Sequence, residues 1–438
     1  MQPQASARHQ SAHRAVWRLH FYAGLFALPF ILWLSLTGSI YLFKPDIDRL
    51  EEARFVRAGP TAPAIGADAQ VAAALAAHPD ARLAAYRLSE HPGEAARVDL
   101  EWPDGRKRQV FVEAGAPVVT GSLDPNTRFT ETVRKLHSEL LLGERGSRLT
   151  ELAASWAFVL LATGLYLWWP RGQGLAGTLW PRWQPQARWR DLHAVTGVWV
   201  SALLLLILLT AMPWTGVWGE AFKGLREAAG APAARFAAAP KPDWATRHDS
   251  GPSGSINSLP AGAMPIETVA RMAPGFGLAP PLLVVPPGVK GPDYVVASEA
   301  PSIAARGSVL LDPYTGLMVR RDGLENRNPV SRVVILGIAW HEGQLFGRVN
   351  QAIGLLTATA LVLMSVSAFR LWRRRKPGGA LGAPPPHSRA RTALLVAVLL
   401  PAALLLPMLG ASLLLVVLLE QALRFWPPAR EWLGLRPI

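Results

Sequence analysis

The sequence predicts a membrane all-α helical bundle of five spans, 2+2 duplicated plus one, carrying two small α+β extracytoplasmic domains. Three observations predict it. Five long runs, 19–43, 152–170, 192–219, 349–369 and 392–419, contain no Asp, Glu, Lys or Arg, and roughly 20 apolar residues cross a bilayer core. The formal net charge of +14 is concentrated beside those runs: segments 1–18, 171–190 and 370–391 hold three, four and seven Lys/Arg and no acid. Two histidines, His20 and His193, enter separate runs in the same frame.

Taken in order, residues 1–18 form a cytoplasmic tail and 19–43 the first span. That run follows basic residues as a secretory signal would, but it is too long for a cleaved core and reads as an uncleaved anchor. Residues 44–148 form the first outer domain with a histidine-bearing interfacial segment, and 149–170 the second span, closed by Trp168 and Trp169 at a membrane interface. A cytoplasmic loop, 171–190, leads to the third span, 191–218. The second outer domain occupies 219–340, followed by an interfacial segment and the fourth span over 341–372. A cytoplasmic loop, 373–391, precedes the fifth span, 392–419, and an outer tail, 420–438. Basic loops stay on the cytoplasmic side, which sets the N-terminus inside. The charge therefore fixes topology and meets membrane lipid; without a basic patch elsewhere, nucleic acid is not an expected partner. With no Cys, compartment cannot be read from disulfides.

Within the first outer segment, "ADAQVAAALAAHPDA" reads as a helix, and "RLAAYRLSE", "AARVDLEWPDG" and "RKRQVFVEAG" as strands. In the second, "MPIETVARMAP" reads as the helix, and "LLVVPP", "DYVVASE" and "SVLLDPYTGLMVRR" as strands, the last turning at "DPYTG". Segment 230–262, rich in Ala, Pro, Gly and Ser, reads as loop.

The spans carry a repeat. Aligning His20 with His193 also aligns Leu19 with Leu192, Gly24 with Gly197 and Thr37 with Thr210. Aligning His137 with His341 aligns Gly143 with Gly347 and Trp168 with Trp372. Duplicated halves are a known way to build a membrane site at the repeat interface. The fifth run has no His and belongs to neither half.

Six of the ten histidines, His9, His13, His78, His91, His248 and His387, lie in tails, loops or water-facing stretches. The other four are paired by repeat and by depth: His20 and His193 at the inner ends of spans, His137 and His341 on the outer side. A lone interfacial histidine commonly caps or snorkels; four in this arrangement favour ligands. Zinc would want three or four donors together, and Glu342 beside His341 begins no H-E-x-x-H because position 345 is Leu. Haem iron needs two axial ligands, and two imidazoles supply them. The expectation is two haems, one on His20 and His193 and one on His137 and His341. Gly24 and Gly197, one turn on, would leave room for a flat macrocycle, although close helix packing explains glycines in spans as well. Arg148 and Arg348, with Arg18 and Arg190, lie near enough to pair with propionates; anchoring by basic residues explains Arg18 and Arg190 equally well.

At these residues the chain resembles the PepSY-associated transmembrane family, the iron-regulated or siderophore-reductase-like membrane proteins of bacteria. The resemblance rests on "RLHFYAGLFALPFILWLSLTGSIYLF", "KLHSELLLG" followed by "GLYLWWPR", "DLHAVTG", "WHEGQLFG" and "VLLDPYTGLMV". It covers most of residues 14–375 and implies a bacterial inner-membrane b-type haem protein that passes electrons outward, some such proteins reducing ferric siderophores in the periplasm. It places the ligands on His20, His137, His193 and His341. The fifth span, the 230–262 insertion and a weak PepSY pattern in the second outer domain depart from the family.

Three function classes follow. The first is a transmembrane electron-transfer enzyme with a ferric-siderophore or other periplasmic acceptor; without G-x-G-x-x-G, P-loop or G-x-S-x-G, its electrons come from a separate donor or from quinol. The second is a non-enzymatic membrane sensor or modulator acting through the outer domains. The third is a proton-coupled transporter, disfavoured because no Asp, Glu, Lys or Arg lies mid-span.

Overall fold

The computed structural model describes residues 3–56, 64–169, 176–228, 256–384, 399–423 and 425–433. Most of segment 230–262, parts of both basic loops and the start of the fifth apolar run lie outside them, as do His248 and His387. The chain forms two compact units: Met1–Leu42, Arg134–Leu225 and Ala352–Ile438 make one, and Phe43–Val133 and Arg226–Gln351 the other.

The first unit is helical. Four helices are long and apolar enough to cross a membrane: Ala12–Tyr41 within α1 (Pro3–Tyr41), Glu144–Trp168, Arg188–Trp214 and Arg348–Arg375. In lipid every backbone N–H and C=O must be paired within the segment, so each apolar run becomes a helix. Between the first two spans lie α2 (Lys44–Glu52), α3 (Ala67–Ala77) and α4 (Phe129–Glu139), and the second span is α5 (Glu144–Trp168). The third span contains α6 (Arg188–Ala211), followed by α7 (Val217–Ala228). Later come α8 (Ile266–Met272), α9 (Pro329–His341), the fourth span α10 (Arg348–Arg375), α11 (Pro407–Leu423) and α12 (Pro427–Leu433). Ala23 and Ala27 of α1 pack against Trp156 and Val159 of α5 and Leu409 of α11. The alanines bring α1 and α5 close, which is how apolar helices gain contact in lipid.

The expected fifth span is not one continuous helix among the described residues. Residues 399–405 are helical, Leu406 is not, and α11 begins at Pro407 with 17 residues. Pro407 has no N–H for the carbonyl of Ala403. Gly410 approaches the same carbonyl so closely that a Cβ there would lie 2.8 Å from its oxygen. The run is bent at a sequence-encoded break.

The histidine-bearing segment before α5 is a separate helix, α4, and the chain reverses after it. Leu140 and Leu141 have φ of 52° and 57°, sparsely populated values for non-glycine residues. Gly146 is required where the reversal closes: a Cβ would sit 1.6 Å from the Glu139 carbonyl oxygen.

The second unit holds one sheet where two small domains were expected. Its eight strands are ordered β4-β3-β2-β1-β5-β6-β7-β8. They are β1 (Arg82–Arg87), β2 (Ala96–Glu101), β3 (Lys107–Val112), β4 (Val119–Leu123), β5 (Leu282–Val285), β6 (Tyr294–Ser298), β7 (Ser308–Leu311) and β8 (Met318–Asp322). Every adjacent pair is antiparallel. Each half is one helix and a four-stranded meander, and the halves join where Tyr86 pairs Val284 and Arg87 pairs Leu283. One core runs through both, with Val98, Val110, Val284, Val296 and Val309 fully buried beneath α3 and α8. The helices cap each other: Asp68 Oδ1 accepts from Ile266 N at 3.0 Å, and Glu267 accepts from Ala67 N.

Candidate functional site

In the helical unit, α1 places His20 near its middle and Thr37 near its C-terminal end, 17 residues or about 25 Å apart. The structure brings histidines or their supports together at both levels. At the first level the His20 and His193 ring centres lie 6.4 Å apart with planes at 80°. A metal about 2 Å from each of two imidazole nitrogens separates the ring centres by about 6 Å. Each ring is held from behind. His20 Nδ1 lies 2.8 Å from Thr163 Oγ1 on α5, and His193 Nδ1 lies 3.2 Å from both the Met364 carbonyl and Ser367 Oγ on α10.

These contacts set the tautomer. Thr163 donates its hydroxyl hydrogen to the Val159 carbonyl at 2.6 Å, so its oxygen is left to accept from His20 Nδ1–H. The Met364 carbonyl can only accept, so His193 Nδ1 also carries the proton. In both rings Nε2 is then a lone pair, the form in which imidazole binds a metal.

At the second level His137, in the last turn of α4, repeats the arrangement. Its Nδ1 lies 3.0 Å from Thr37 Oγ1, and Thr37 donates to the Trp33 carbonyl at 2.8 Å. Trp33 Nε1 in turn donates to the Leu136 carbonyl at 3.0 Å, tying α4 to α1. His341 belongs to the other unit, where it is half-buried and ends α9.

Small residues make room for the rings, but not those the spacing selects. Gly24 faces Leu160, where an added Cβ would make ordinary contact at 3.7 Å, and Gly197 faces Met364 at 3.2 Å. Both serve helix packing. The glycines against the rings are Gly164, whose Cβ would lie 3.3 Å from His20 Cε1, and Gly38, whose Cβ would lie 3.1 Å from His137 Cε1. The same dipeptide, Thr-Gly, thus holds an imidazole at 37–38 and at 163–164. Thr-Gly also stands at 120–121, 196–197, 215–216 and 315–316, so the dipeptide alone was no signal in the sequence. Thr210, the repeat partner of Thr37, bonds only carbonyls of its own helix, at Leu206 and Ile207. Arg148 pairs with Glu144, and Arg348 pairs through both nitrogens with Asp46 at 2.8 Å.

Spacing also missed Glu151, one residue outside the second apolar run and 1 % exposed on α5. Its carboxylate accepts from Val217 N at 2.8 Å and Trp218 N at 3.0 Å, closing the N-terminus of α7. Among the described residues no three His, Cys, Asp or Glu side chains gather as a metal site. The donor set at the first level is two neutral imidazoles, which suits a metal whose other ligands come with it.

Compared with known protein families, residues 17–375 match the PepSY-associated TM region. The chain belongs to that family. Comparison with curated proteins gave no match. This PepSY-associated TM protein is a multi-pass membrane protein, and the matched region reaches all four spans and includes all four histidines of the repeat.

Proposed function

We propose that this protein is a bacterial inner-membrane electron-transfer protein that binds two b-type haems and reduces a periplasmic ferric-siderophore or other ferric chelate. The observation that carries the reading is the His20–His193 pair: ring centres 6.4 Å apart, each Nδ1 held from another helix, each Nε2 left as a ligand. His20 and His193 would hold one haem, and His137 would serve the second. When bound, haem iron supplies a one-electron carrier that cycles between ferric and ferrous states. The protein's own part is to fix the imidazoles, to space the two levels along α1 and to keep water from the inner pair. The basic ends of the spans favour a cytoplasmic N-terminus. Electrons come from a separate donor or from quinol, and each one converts one ferric ion to ferrous.

The test is reduction across a sealed membrane. Proteoliposomes holding dithionite inside and a ferric chelate outside should release ferrous iron, and His193→Ala should slow that release by at least tenfold, about 1.4 kcal/mol of barrier. Equal rates for wild type, variant and empty vesicles would end the reading.

A second reading, a non-enzymatic PepSY membrane sensor or modulator, draws on β8. Leu317, Met318 and Val319 at that sheet edge are exposed, and an exposed edge strand can pair with another chain. It predicts a colourless protein whose histidines tolerate substitution.

A further inference from the structure

We infer that the basic end of the helical unit carries a specific site for an anionic phospholipid headgroup, built by Arg188 at the start of α6 and Arg370 near the end of α10 around the indole of Trp189. The Arg188 guanidinium carbon lies 5.5 Å from the centre of the Trp189 ring, and that of Arg370 lies 5.7 Å from it. Two cations therefore share one half-buried ring, both exposed and on neighbouring helices. Cation–π contact at exposed sites contributes about 0.5–1 kcal/mol, too little to hold two like charges together next to a low-dielectric phase.

Among the described residues no carboxylate relieves them. Segments 171–190 and 370–391 contain no Asp or Glu. The next acid, Asp191, is 1 % exposed and taken by Arg182, whose Nε and Nη2 donate to it at 2.8 and 2.9 Å. Among the described residues neither Arg188 nor Arg370 has an ion-pair partner. The missing anion is external.

A second observation says which anion. Trp169, Trp180 and Trp183 are exposed around this end of the unit, and Trp is the residue that settles at headgroup depth. Trp199 donates to the Leu179 carbonyl at 3.0 Å and Trp168 to the Thr178 carbonyl at 2.8 Å, so residues 178–179 between α5 and α6 are held against the spans. The arginine pair thus sits at the level of lipid phosphates. The placement also has a consequence for the imidazoles. Trp189 lies one turn before His193 on α6, and Arg370 lies one turn beyond Ser367 on α10. A phosphate bridging Arg188 and Arg370 clamps the same two helices whose contact orients His193.

The inference is independent of what the histidines bind. Its test is lipid retention by the detergent-purified full chain, read by native mass spectrometry after exchange into mixed micelles of phosphatidylglycerol and phosphatidylcholine. Wild type should keep phosphatidylglycerol at least tenfold in preference, and Arg188→Gln/Arg370→Gln should lose that preference. Arg190→Gln/Arg374→Gln removes the same charge at the same end without touching Trp189 and should keep it. Equal losses in the two variants would mean diffuse attraction and overturn the site. Displacement of the lipid by millimolar inorganic phosphate would overturn the lipid assignment in favour of a free-phosphate site. Should the double variant fail to fold, Arg370→Gln alone should lower retention severalfold, and unchanged retention would overturn the proposal.

Discussion

Thr163 and Thr37 each have one hydroxyl hydrogen and spend it on a carbonyl four residues back, so each oxygen can only accept from the imidazole beside it. Thr163→Ser keeps this arrangement and should behave as wild type. Thr163→Val keeps the volume but removes the acceptor, freeing His20 to rotate or to move its proton to Nε2. Losing such an outer partner commonly weakens a metal site about 10- to 100-fold, so Thr163→Val should retain markedly less haem after purification, measured against protein. Retention equal to Thr163→Ser would show that the hydroxyl does not prepare the ring. The glycines beside these threonines make a steric prediction. Gly38→Val and Gly164→Val should each disturb the adjacent histidine, whereas Gly24→Ala should be tolerated because its Cβ meets only Leu160 at 3.7 Å. The histidines were visible in the sequence through their repeated frame. Their supports were not, because a Thr-Gly dipeptide acquires a role only when another helix brings an imidazole against it.

At the scale of elements, strand identity was legible and strand partnership was not. "RLAAYR", "ARVDLE", "KRQVFV", "YVVAS" and "SVLL" alternate or run apolar and lie in β1, β2, β3, β6 and β7. The short strand β4 escaped because its Val-Thr-Gly-Ser-Leu carries Gly at its centre. Nothing in either half signals the junction, which pairs two residues of β1 with two of β5 from nearly 200 positions away. An ion network braces that region. Arg97 bonds both Asp99 and Glu299, while Arg87 reaches Glu52, Glu90 and Glu299. Burial pushes the Glu299 carboxyl up, but Arg97 and Arg87 outweigh it and hold the group below the usual glutamate range. Burial raises Asp99 above its usual range despite Arg97. Arg97→Met would strand both carboxylates and should destabilise the sheet by roughly 3–5 kcal/mol, seen as a lower denaturant midpoint. The depressed Glu299 also fixes a sign. Its contribution is complete above the unfolded glutamate pKa of about 4.3 and falls as pH drops through the lower folded value. Glu299→Gln should therefore flatten the acid limb of the stability curve, and an unchanged limb would contradict this assignment.

On the scale of the whole molecule, duplication explains both units. The four spans repeat in pairs, and the two segments between paired spans repeat as helix plus four strands, yet the copies merge into one sheet with a shared core. Asp68 and Glu267 are equivalent positions that cap each other's helix, so the halves are interdependent. Asp68→Ala should cost about 1 kcal/mol of sheet-unit stability, and Glu267→Ala a similar amount. The break in the fifth apolar run was not foreseen, because length and hydropathy do not register a proline at position 407 beside a close glycine at 410. What the duplication builds in the helical unit is the pair of imidazoles 6.4 Å apart. The measurement that tests its role most directly is the oxidised-minus-reduced visible spectrum of the purified protein, with haem stoichiometry, for wild type and His193→Ala. Two low-spin haems per chain, falling to one or to a disturbed pair in the variant, are predicted. A colourless wild type from haem-replete cells would contradict the account.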